Sequence, residues 1–511
     1  MKPDFRKKIV ALDDFKRIIP LLKKQGKIIV HCHGVFDLVH PGHIKHFYSA
    51  KNAGDILIVT ITADKFVKRG PGRPIFNHSI RTETLSALEV VDYVAIVHGP
   101  TADEAITAIR PDLYAKGPDY KNQAEDITGK ISEEEALVKK MGGKLLITED
   151  VTFSSSKLIN DHIESYPTEV RTYLAALKKK YSADDIARHI ASLKKLKVLV
   201  IGDAIIDQYH YCTPLGKSSK EPLVVNQFEY GESYAGGVLA TANHMAGILK
   251  NVTLVSVLGK LDTQKEFIRQ HLKKNIRTKL FLRPDSQTIV KRRYVSTAQN
   301  RKLFEICFMN DNAIPRILEK SILSYLRDNI LKFDIVIVND FGHGLMTERI
   351  VQYIIKKAKK LAINVQTNSA NAGFNLVNKY PHADFVCVDE MELRYATHDR
   401  FGNLQNIAQR IQKDLGAILL ITTRGSKGSL AYIPKRKEFS ESPALTASVV
   451  DAVGAGDAFF AYTAPAFGGK LPHDIIAFLG NVVGAIAVQI VGNKSSVEYV
   501  DVMKFITRLL K

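Results

Sequence analysis

The chain has 511 residues, a formal net charge of +19, 45% hydrophobic residues and 24% charged residues. At about 100–200 residues per domain, this length predicts two or three domains. The first residues are charged, and no apolar run approaches the ~18–20 residues of a membrane helix, so we expect neither a signal peptide nor membrane insertion. Four widely spaced cysteines argue against a disulfide framework and favour a reducing cytoplasm.

The positive charge has two explanations. Nucleic acid is one, but the sequence has no nucleic-acid-binding motif, no basic tail and no basic stripe with interleaved aromatic residues. Small anionic ligands are the other, and phosphorylated substrates agree with the charge. We therefore expect no nucleic acid among the partners.

The N-terminal part of the chain predicts a parallel sheet. Apolar runs at 27–34 and 55–64 predict buried strands, and the segment between them predicts a helix that stops at Gly54. Strand, helix and strand within about 35 residues form a βαβ unit. Further strands are predicted at 90–97, 111–117 and 142–148. The first α/β domain is assigned to residues 1–165.

A second α/β pattern follows an amphipathic segment without glycine. We predict a helical linker over 166–196 and a second domain over 197–511, about twice the size of the first. Its predicted strands lie at 197–203, 333–340, 361–367, 383–389 and 416–425.

The stretch GVFDLVHPGH, residues 34–43, places two histidines at a predicted strand-to-helix turn. His40 and His43 are three residues apart and share one face of the first helical turn. Backbone N–H groups and the helix dipole attract an anion there, and Gly42 permits close approach. A capping or core pair is the structural alternative, and zinc is disfavoured because no third ligand is near. The pattern favours a polyphosphate site.

Together with GPGRPIFNHSIRTETLSALEVVDYV, YAKGPDY and TFSSSKLI, this stretch resembles the nucleotidyltransferases that carry a His-x-Gly-His motif. The similarity is greatest to cytidylyltransferases and heptose-1-phosphate adenylyltransferases. It implies that a sugar or alcohol phosphate attacks the α-phosphate of ATP or CTP, while His40 and His43 stabilise charge in the transition state. The other nucleotide-binding residues implied by the resemblance are Gly34, Phe36, Asp37, Lys68, Arg81, Gly117, Asp119, Ser154, Ser155 and Ser156.

A second glycine-rich signal, DAVGAGDAFF, occupies residues 451–460. Gly454, Ala455 and Gly456 place small residues where N–H groups can converge on an anion. Asp457 is then positioned to take a proton from a hydroxyl that attacks a γ-phosphate. The structural alternative is a helix entry with a capping aspartate.

With VLVIGDAIIDQY, YAGGVLATAN, TIVKRRYV, NDFGHG and ITTRGSKGS, this signal resembles the ribokinase (PfkB-type) sugar kinases. The resemblance implies phosphorylation of a sugar hydroxyl by ATP and Mg²⁺, with Asp457 as the base. Both resemblances together imply an α/β chain of two doubly wound domains, a Rossmann-like nucleotidyltransferase fold followed by a ribokinase-like fold. For ATP, the resemblance implies contacts with Gly454, Ala455, Gly456, Arg424 and Gly425. For the sugar, it implies contacts with Asp207, Gly236, Gly237, Lys291 and Arg293. For Mg²⁺, it implies a role of Glu392.

Two functional hypotheses remain open at this point. The first is a bifunctional enzyme, a sugar or sugar-phosphate kinase joined to a sugar-phosphate nucleotidyltransferase, that makes a nucleotide-activated, heptose-like sugar for a surface glycan. The second is a nucleotidyltransferase whose kinase-like half only binds a sugar phosphate and has a regulatory role. Ala240, His343 and Asp389 depart from the kinase pattern; Ala240 and His343 favour the second hypothesis, whereas Asp457 with its glycine loop favours the first. Heptose bifunctional enzymes also have the kinase first. Either way we expect a cytoplasmic homo-oligomer that binds nucleoside triphosphates and sugar phosphates.

Overall fold

The computed structural model describes residues 4–67, 70–117, 130–148, 166–299 and 301–510. The chain forms two compact units, Met1–Pro167 with Met503–Lys511, and Thr168–Val502. Both are α/β, as the sequence predicted. The residues from Met503 onward join the first unit, whereas the sequence analysis placed them in the second domain. The segment expected as a linker is helical and is counted with the second unit.

The first unit has a five-stranded, fully parallel sheet in the order β3-β2-β1-β4-β5. Every strand predicted for this domain is present. The strands are β1 (Ile29–Gly34), β2 (Ile56–Thr62), β3 (Tyr93–Val97), β4 (Leu113–Lys116) and β5 (Lys144–Ile147). The helices are α1 (Phe15–Lys24), α2 (Pro41–Asn52), α3 (His78–Ser86), α4 (Asp103–Ile109) and α5 (Lys130–Lys140).

Both faces of this sheet are buried, which is why its strands are almost continuously apolar. Val30 and Cys32 of β1 pack on one face against Phe47 of α2. Ile29 and Ile58 pack on the other face with Phe15 of α1. The alternation of side chains along each strand therefore fixes which helix covers which face. The carboxyl end of β1 leads directly into the His-Pro-Gly-His turn.

The second unit contains a nine-stranded sheet in the order β10-β9-β6-β13-β14-β15-β16-β17-β18. It is parallel from β10 to β16, and the last two strands are antiparallel. The strands are β6 (Val198–Gly202), β9 (Val252–Gly259), β10 (Ile276–Arg283), β13 (Ile335–Asp340), β14 (Leu361–Val365), β15 (Phe385–Asp389), β16 (Leu419–Thr423), β17 (Ser429–Ile433) and β18 (Glu438–Ser442).

Helices cover both faces of that sheet, as a doubly wound fold requires. The helices of the second unit, in chain order, are α6 (Thr168–Lys178), α7 (Ala183–Ser192), α8 (Val238–Met245), α9 (Lys265–His271), α10 (Arg316–Asn329), α11 (Glu348–Lys357), α12 (Glu390–Thr397), α13 (Leu404–Leu415), α14 (Ala455–Gly468) and α15 (His473–Ala487). A further helix, α16 (Tyr499–Leu510), begins in this unit and belongs to the first unit from Met503 onward. None of the helices in the described part of the chain combines the length and apolar character needed to cross a bilayer.

A separate four-stranded sheet in the second unit was not predicted from the sequence. Its strands are β7 (Ala204–Lys217), β8 (Val224–Gly237), β11 (Ile289–Ser296) and β12 (Arg301–Phe308), in the order β12-β11-β7-β8. Its edge strands are largely exposed, so they lack the unbroken apolar runs that identify buried parallel strands. One face of this sheet carries Asp207 and Lys291, which brings the predicted sugar-binding residues together.

Candidate active sites

Phe36 lies in the turn between β1 and α2 with a left-handed backbone, φ 46°. Such a conformation costs about 1–3 kcal/mol in a residue other than glycine and persists where its surroundings enforce it. The Phe36 ring packs edge-on against His43, with ring centroids 5.2 Å apart, and against Phe47 at 5.1 Å. A Cβ on Gly34 would lie 3.0 Å from the same ring. The turn therefore uses Gly34 for close packing and Phe36 to orient His43.

His40 caps helix α2, because its Nδ1 accepts the backbone N–H of Gly42 at 3.1 Å. Burial lowers the pKa of His40. The ring is thus neutral near pH 7, and with Nδ1 as an acceptor its proton resides on Nε2. The rings of His40 and His43 stack with centroids 3.9 Å apart. Two imidazoles at a helix N-terminus suit a polyphosphate, and binding remains a prediction.

Asp37 ties this turn to the segment 70–76. Its Oδ2 accepts Nη1 of Arg73 at 2.8 Å, and its Oδ1 accepts the N–H groups of Ile75 and Phe76 at 2.7 and 3.1 Å. The Asp37 and Arg73 side chains are both buried. The nucleotide contact that the resemblance implies for Asp37 stays a prediction.

Arg81 lies in α3 with its side chain completely buried. Its Nε donates to the carbonyl of Phe76 at 2.9 Å, and Nη1 donates to that of Val35 at 2.5 Å. Nη2 donates to the carbonyl of Thr62 at 2.9 Å and to Asp64 Oδ1 at 2.5 Å. All three nitrogens thus support the turn from within the protein. The nucleotide contact implied for Arg81 stays a prediction.

The remaining predicted residues of this site are only partly described. Gly117 follows β4, and none of the described residues lies within 4 Å of the position that a Cβ would take. Lys68, Asp119, Ser154, Ser155 and Ser156 lie outside the described residues.

The second candidate site is built on the start of helix α14. Its N-cap, Gly454, has φ 81°, and a Cβ there would lie 2.3 Å from Oδ1 of Asn493. The first N–H groups of a helix have no intrahelical acceptor and carry partial positive charge. Gly456 supplies such a group, whereas the N–H of Ala455 donates to the carbonyl of Ala452 at 3.3 Å. Among the described residues, nothing lies within 4 Å of a Cβ position on Gly456. This open helix start suits a phosphate.

Asp457 is buried at the same helix start, held by two amides. Its Oδ1 accepts Nδ2 of Asn339 at 3.1 Å and Nε2 of Gln366 at 2.7 Å. Asn339 also donates to Thr241 at 2.6 Å, and Gln366 donates to Asn364 at 3.0 Å. Oδ2 accepts no hydrogen bond from the described residues. Burial raises the pKa of Asp457 to about 7, against the effect of the amides, so Oδ2 can take up a proton near neutral pH.

Asp207 is occupied by protein groups. Its Oδ1 accepts Nη1 of Arg293 at 2.6 Å, and its Oδ2 accepts Nδ2 of Asn493 at 3.2 Å. A Cβ on Gly236 would lie 2.0 Å from Oδ2, so glycine is required for the backbone to pass. Gly237 has φ 56°, a second conformation that favours glycine. These contacts fix the Asp207 carboxylate in one orientation.

Lys291 is a cation of this cluster that has no partner among the residues the structure describes. It pairs in register with Asp207 across β11 and β7 and is only 8% exposed. Its amine makes no hydrogen bond or ion pair with the described residues, whereas Arg293 is shared between Asp207 and Glu305, the latter at 2.7 Å. The charges of Lys291 and Asp207 both act on Asp457. A largely buried lysine that faces no carboxylate of its own among the described residues can bind an anionic ligand.

The carboxylate of Glu392 accepts hydrogen bonds from two backbone N–H groups. Its Oε1 accepts the N–H of Thr367 at 3.0 Å, and its Oε2 accepts that of Asp389 at 2.8 Å. It thereby fixes the segment that carries Gln366. Among the described residues, no group of three or more His, Cys, Asp and Glu side chains could hold a metal ion. A role of Glu392 toward Mg²⁺ stays a prediction, and the ion would arrive with ATP as part of the substrate.

Arg424 and Gly425 lie after β16. Arg424 is 3.6 Å from both Glu390 and Glu441. Gly425 begins a short 3₁₀ helix with φ 54°, and nothing lies within 4 Å of its Cβ position. The nucleotide contact implied for Arg424 and Gly425 stays a prediction.

The chain was compared with known protein families. Residues 195–499, more than half of the chain, match the family described as pfkB family carbohydrate kinase. The chain belongs to the pfkB family of carbohydrate kinases. In this pfkB-family kinase, residues 31–161 match the family described as cytidylyltransferase-like. Both resemblances inferred from the sequence are thereby confirmed.

Curated relatives match the N-terminal part of this pfkB-family chain. The "Bifunctional protein HldE" of Desulfatibacillum aliphaticivorans is 32% identical over 160 residues, which are 31% of this chain and 31% of the relative. The protein of the same name from Nitratiruptor sp. is 41% identical over 138 residues, 27% of this chain and 30% of the relative. The chain thus spans less than a third of the length of these relatives. Ribokinase from Arabidopsis thaliana, solved with ribose and ATP, shares 19% identity over 62% of this chain and 99% of its own, with a TM-score of 0.48.

The structure also shows residues that the sequence analysis missed. Asn339 and Gln366 hold Asp457, Asn493 holds Asp207, and Arg73 holds Asp37. Asn339 and Gln366 could have been identified from the sequence. Both are polar residues at the carboxyl ends of apolar strands, where ligands bind in doubly wound sheets. Asn493 and Arg73 lie in segments without a comparable pattern.

Proposed function

We propose that this pfkB-family protein is bifunctional. Its second unit phosphorylates a sugar or sugar phosphate with ATP, and its first unit transfers a nucleotidyl group to a sugar phosphate with release of pyrophosphate. The arrangement of Asp457 supports the kinase reaction most strongly. A buried carboxylate with one oxygen held by amides, at an open helix start, has the form of a general base beside an anion hole.

In the proposed phosphoryl transfer, Asp457 Oδ2 takes the proton of the acceptor hydroxyl as that oxygen attacks the γ-phosphate of ATP. The N–H groups at the start of α14 bind the phosphate oxygens, and Mg²⁺ bound to ATP neutralises further charge. Lys291 binds an anionic group of the acceptor, which favours a sugar phosphate over a neutral sugar. The carboxylate of Asp207 orients the acceptor by accepting hydrogen bonds from the acceptor's hydroxyl groups.

In the proposed nucleotidyl transfer, the acceptor phosphate is already ionised, so no general base is required. His40 and His43 donate to the phosphates of the nucleoside triphosphate as charge builds up in the transition state. ATP and CTP both satisfy this chemistry. A heptose-like sugar destined for a surface glycan is the acceptor that the similarity to HldE proteins favours.

The regulatory alternative has its own support. Ala240 is a buried helix residue without a polar side chain, and the His343 side chain is completely buried against Asp311 at 2.7 Å. Neither offers the sugar a contact in this arrangement. A kinase-like unit with these departures can bind a sugar phosphate at Lys291 and fail to transfer the γ-phosphate.

We also propose that the protein is a homo-oligomer of the cytoplasm. Support for the oligomer comes from the four-stranded sheet, which exposes a row of rings. Phe228, His210, Tyr294 and Phe304 follow one another across β8, β7, β11 and β12, with centroids 5.1, 5.4 and 4.5 Å apart. An apolar patch of this kind on a soluble unit marks an interaction surface. The substrates proposed above are cytoplasmic metabolites, which supports the compartment.

Two substitutions in the full chain test both activities. His43→Ala should lower pyrophosphate release by roughly 10²–10³-fold, the cost of one transition-state donor, and leave ATP-dependent phosphorylation intact. Asp457→Asn should lower phosphorylation by about 10²–10⁴-fold and leave pyrophosphate release intact. Each variant is the control for the other. Wild-type protein that releases pyrophosphate and binds sugar phosphate but phosphorylates no acceptor in a broad panel would establish the regulatory alternative.

A further inference from the structure

The final helix of the chain, α16, lies beyond the region that matches the kinase family, which ends at residue 499. From Met503 onward it belongs to the unit that contains His40 and His43. Met503, Phe505, Ile506 and Leu509 are buried there, and even Arg508 is only 6% exposed. A helix that merely trailed along the surface would keep a solvated polar face. This segment is therefore an integral part of the first unit.

Two side chains of this segment contact residues 70–73. The Phe505 ring fills the space beside Gly70, where a Cβ would lie 2.4 Å from the ring, and Gly70 has φ 86°. Arg508 donates from Nη1 to the carbonyl of Pro71 at 2.8 Å and from Nη2 to the hydroxyl of Tyr166 at 2.7 Å. Charge-assisted bonds from a buried guanidinium hold backbone in place more firmly than neutral bonds do.

Residues 70–73, which Phe505 and Arg508 contact, belong to the segment that hydrogen-bonds to Asp37. Arg73 lies two residues after Pro71 and donates to Asp37, and the N–H groups of Ile75 and Phe76 donate to the other carboxylate oxygen. The charges of Arg73 and Asp37 also act on Arg508, which places all three groups together. Asp37 in turn lies three residues before His40. An unbroken series of contacts therefore connects the last helix to the histidine turn.

We propose that residues 503–510 complete the nucleotidyl-transfer site, with Arg508 and Phe505 as positioning residues. They hold the segment 70–76, and this segment holds Asp37 and so fixes the turn that presents the two histidines. The inference rests on the nucleotidyl transfer proposed above. It makes the first domain discontinuous in sequence, built from both ends of the chain.

The test uses Arg508→Met in the full chain. Displacement of a catalytic group by about 1 Å can cost about 10²-fold, so kcat for pyrophosphate release should fall by roughly 10–100-fold. KM for the nucleotide should change less than about threefold, because the histidines act mainly in the transition state. ATP-dependent phosphorylation should be unchanged. Arg508→Lys keeps a charged donor for the carbonyl of Pro71, so its kcat for pyrophosphate release should lie between those of wild type and Arg508→Met. Arg269 is exposed, and Arg269→Met serves as the matched control, with both activities expected to be intact.

A helix that only added stability would behave differently. Arg508→Met would then unfold at lower temperature but show normal kcat well below its transition, and that result would overturn the proposal. If Arg508→Met does not fold, Phe505→Leu is the substitute variant. Because it weakens the packing against Gly70, kcat for pyrophosphate release should fall while KM for the nucleotide changes little. A normal kcat in a folded Phe505→Leu protein would overturn the proposal as well.

Amide hydrogen exchange separates this inference from the proposed function. Residues 35–43 should exchange faster in Arg508→Met than in wild type, whether or not the protein turns over a substrate. If wild type releases no pyrophosphate with any acceptor, the proposed function fails, and faster exchange still supports the positioning role. Unchanged exchange over residues 35–43 overturns it.

Discussion

At the scale of single residues, the pKa of Asp457 sets the pH dependence of the kinase reaction. Burial raises that pKa to about 7, so the carboxylate is protonated and inactive as a base below this pH and ionised above it. The amides of Asn339 and Gln366 favour the ionised form and keep the pKa from rising further. The rate of phosphorylation should therefore rise with pH through an apparent pKa near 7.

Gln366→Met should shift this rise to higher pH. The substitution keeps the length of the side chain and removes one donor to Asp457. A hydrogen bond to a charged group contributes about 1.5–3 kcal/mol, and one pKa unit corresponds to about 1.4 kcal/mol, so we expect the pKa of Asp457 to rise by about one to two units. The measurement is kcat for phosphorylation against pH, with Gln270→Met on the exposed face of α9 as the control. An unshifted profile would show that Gln366 does not tune the base.

At the scale of elements, the sequence predicted most of the buried parallel strands, missed the parallel strands β9 and β10, and did not predict the exposed sheet. Strands such as β1 and β13 are covered on both faces, so their apolar runs are unbroken and stand out in the sequence. In β12 every residue but the last is exposed, and in β8 a polar and apolar mixture continues over 14 residues. Such strands owe their existence to pairing with neighbours distant in the chain, which a local pattern cannot contain.

The candidate sites divide in the same way. Glycine and histidine motifs are local, so His40, Gly454 and Asp457 could be found from the sequence. The partners that orient them are distant in the chain: Arg73 is 36 residues from Asp37, and Asn493 is 286 residues from Asp207. Their positions depend on how the sheets and loops pack, and no spacing rule identifies them.

The glycine at the start of α14 has a role that a matched substitution can isolate. Gly454 and Gly373 both have φ 81°, but a Cβ lies 2.3 Å from Asn493 Oδ1 only at position 454, while position 373 has open space. An alanine should cost both variants about 1–2 kcal/mol of stability through the left-handed backbone. Only Gly454→Ala should also displace Asn493, which donates to Asp207.

We therefore expect Gly454→Ala to lose at least roughly tenfold in phosphorylation, with Gly373→Ala close to wild type, since a misplacement of about 1 Å is enough for such a loss. Thermal unfolding of the two variants should show similar decreases in the free energy of unfolding. Pyrophosphate release should be unaffected in both. Equal phosphorylation by Gly454→Ala and Gly373→Ala would contradict the role given to the contact with Asn493.

At the scale of the whole molecule, the chain joins a pfkB-family kinase domain to a cytidylyltransferase-like domain, and the reactions proposed for both act on phosphate groups. A kinase that acts on a sugar or sugar phosphate can supply the acceptor that a nucleotidyltransferase consumes, because the second reaction needs an ionised phosphate as its nucleophile. The net charge of +19 agrees with a molecule that binds polyanions at two sites. Kinase and nucleotidyltransferase stand in the opposite order to that of heptose bifunctional enzymes, which leaves the proposed chemistry unaffected since each site lies within its own unit.

The last prediction concerns the exposed face of the four-stranded sheet. Phe228 and Phe304 are 54% and 51% exposed, and Ile306 of the same strand as Phe304 is 41% exposed. Antiparallel sheets with one face toward solvent normally carry polar side chains on that face. A solvent-facing side with apolar side chains therefore indicates that another surface covers this face in solution. A second copy of the same sheet is the occupant that the homo-oligomer proposed above requires, because a two-fold axis pairs identical patches.

Phe304→Lys should therefore shift the protein toward monomers. A lysine at this position brings like charges from two copies together and takes an ammonium group out of water, which costs several kcal/mol at an apolar interface. Sedimentation velocity over a range of protein concentrations measures the shift. Phe401→Lys is the matched control, because Phe401 is 88% exposed and lies in a loop between α12 and α13 of the same unit, away from the sheet. The control should sediment like wild type. A wild type that is monomeric at tens of micromolar, or an unchanged assembly in Phe304→Lys, would show that this face is not the interface.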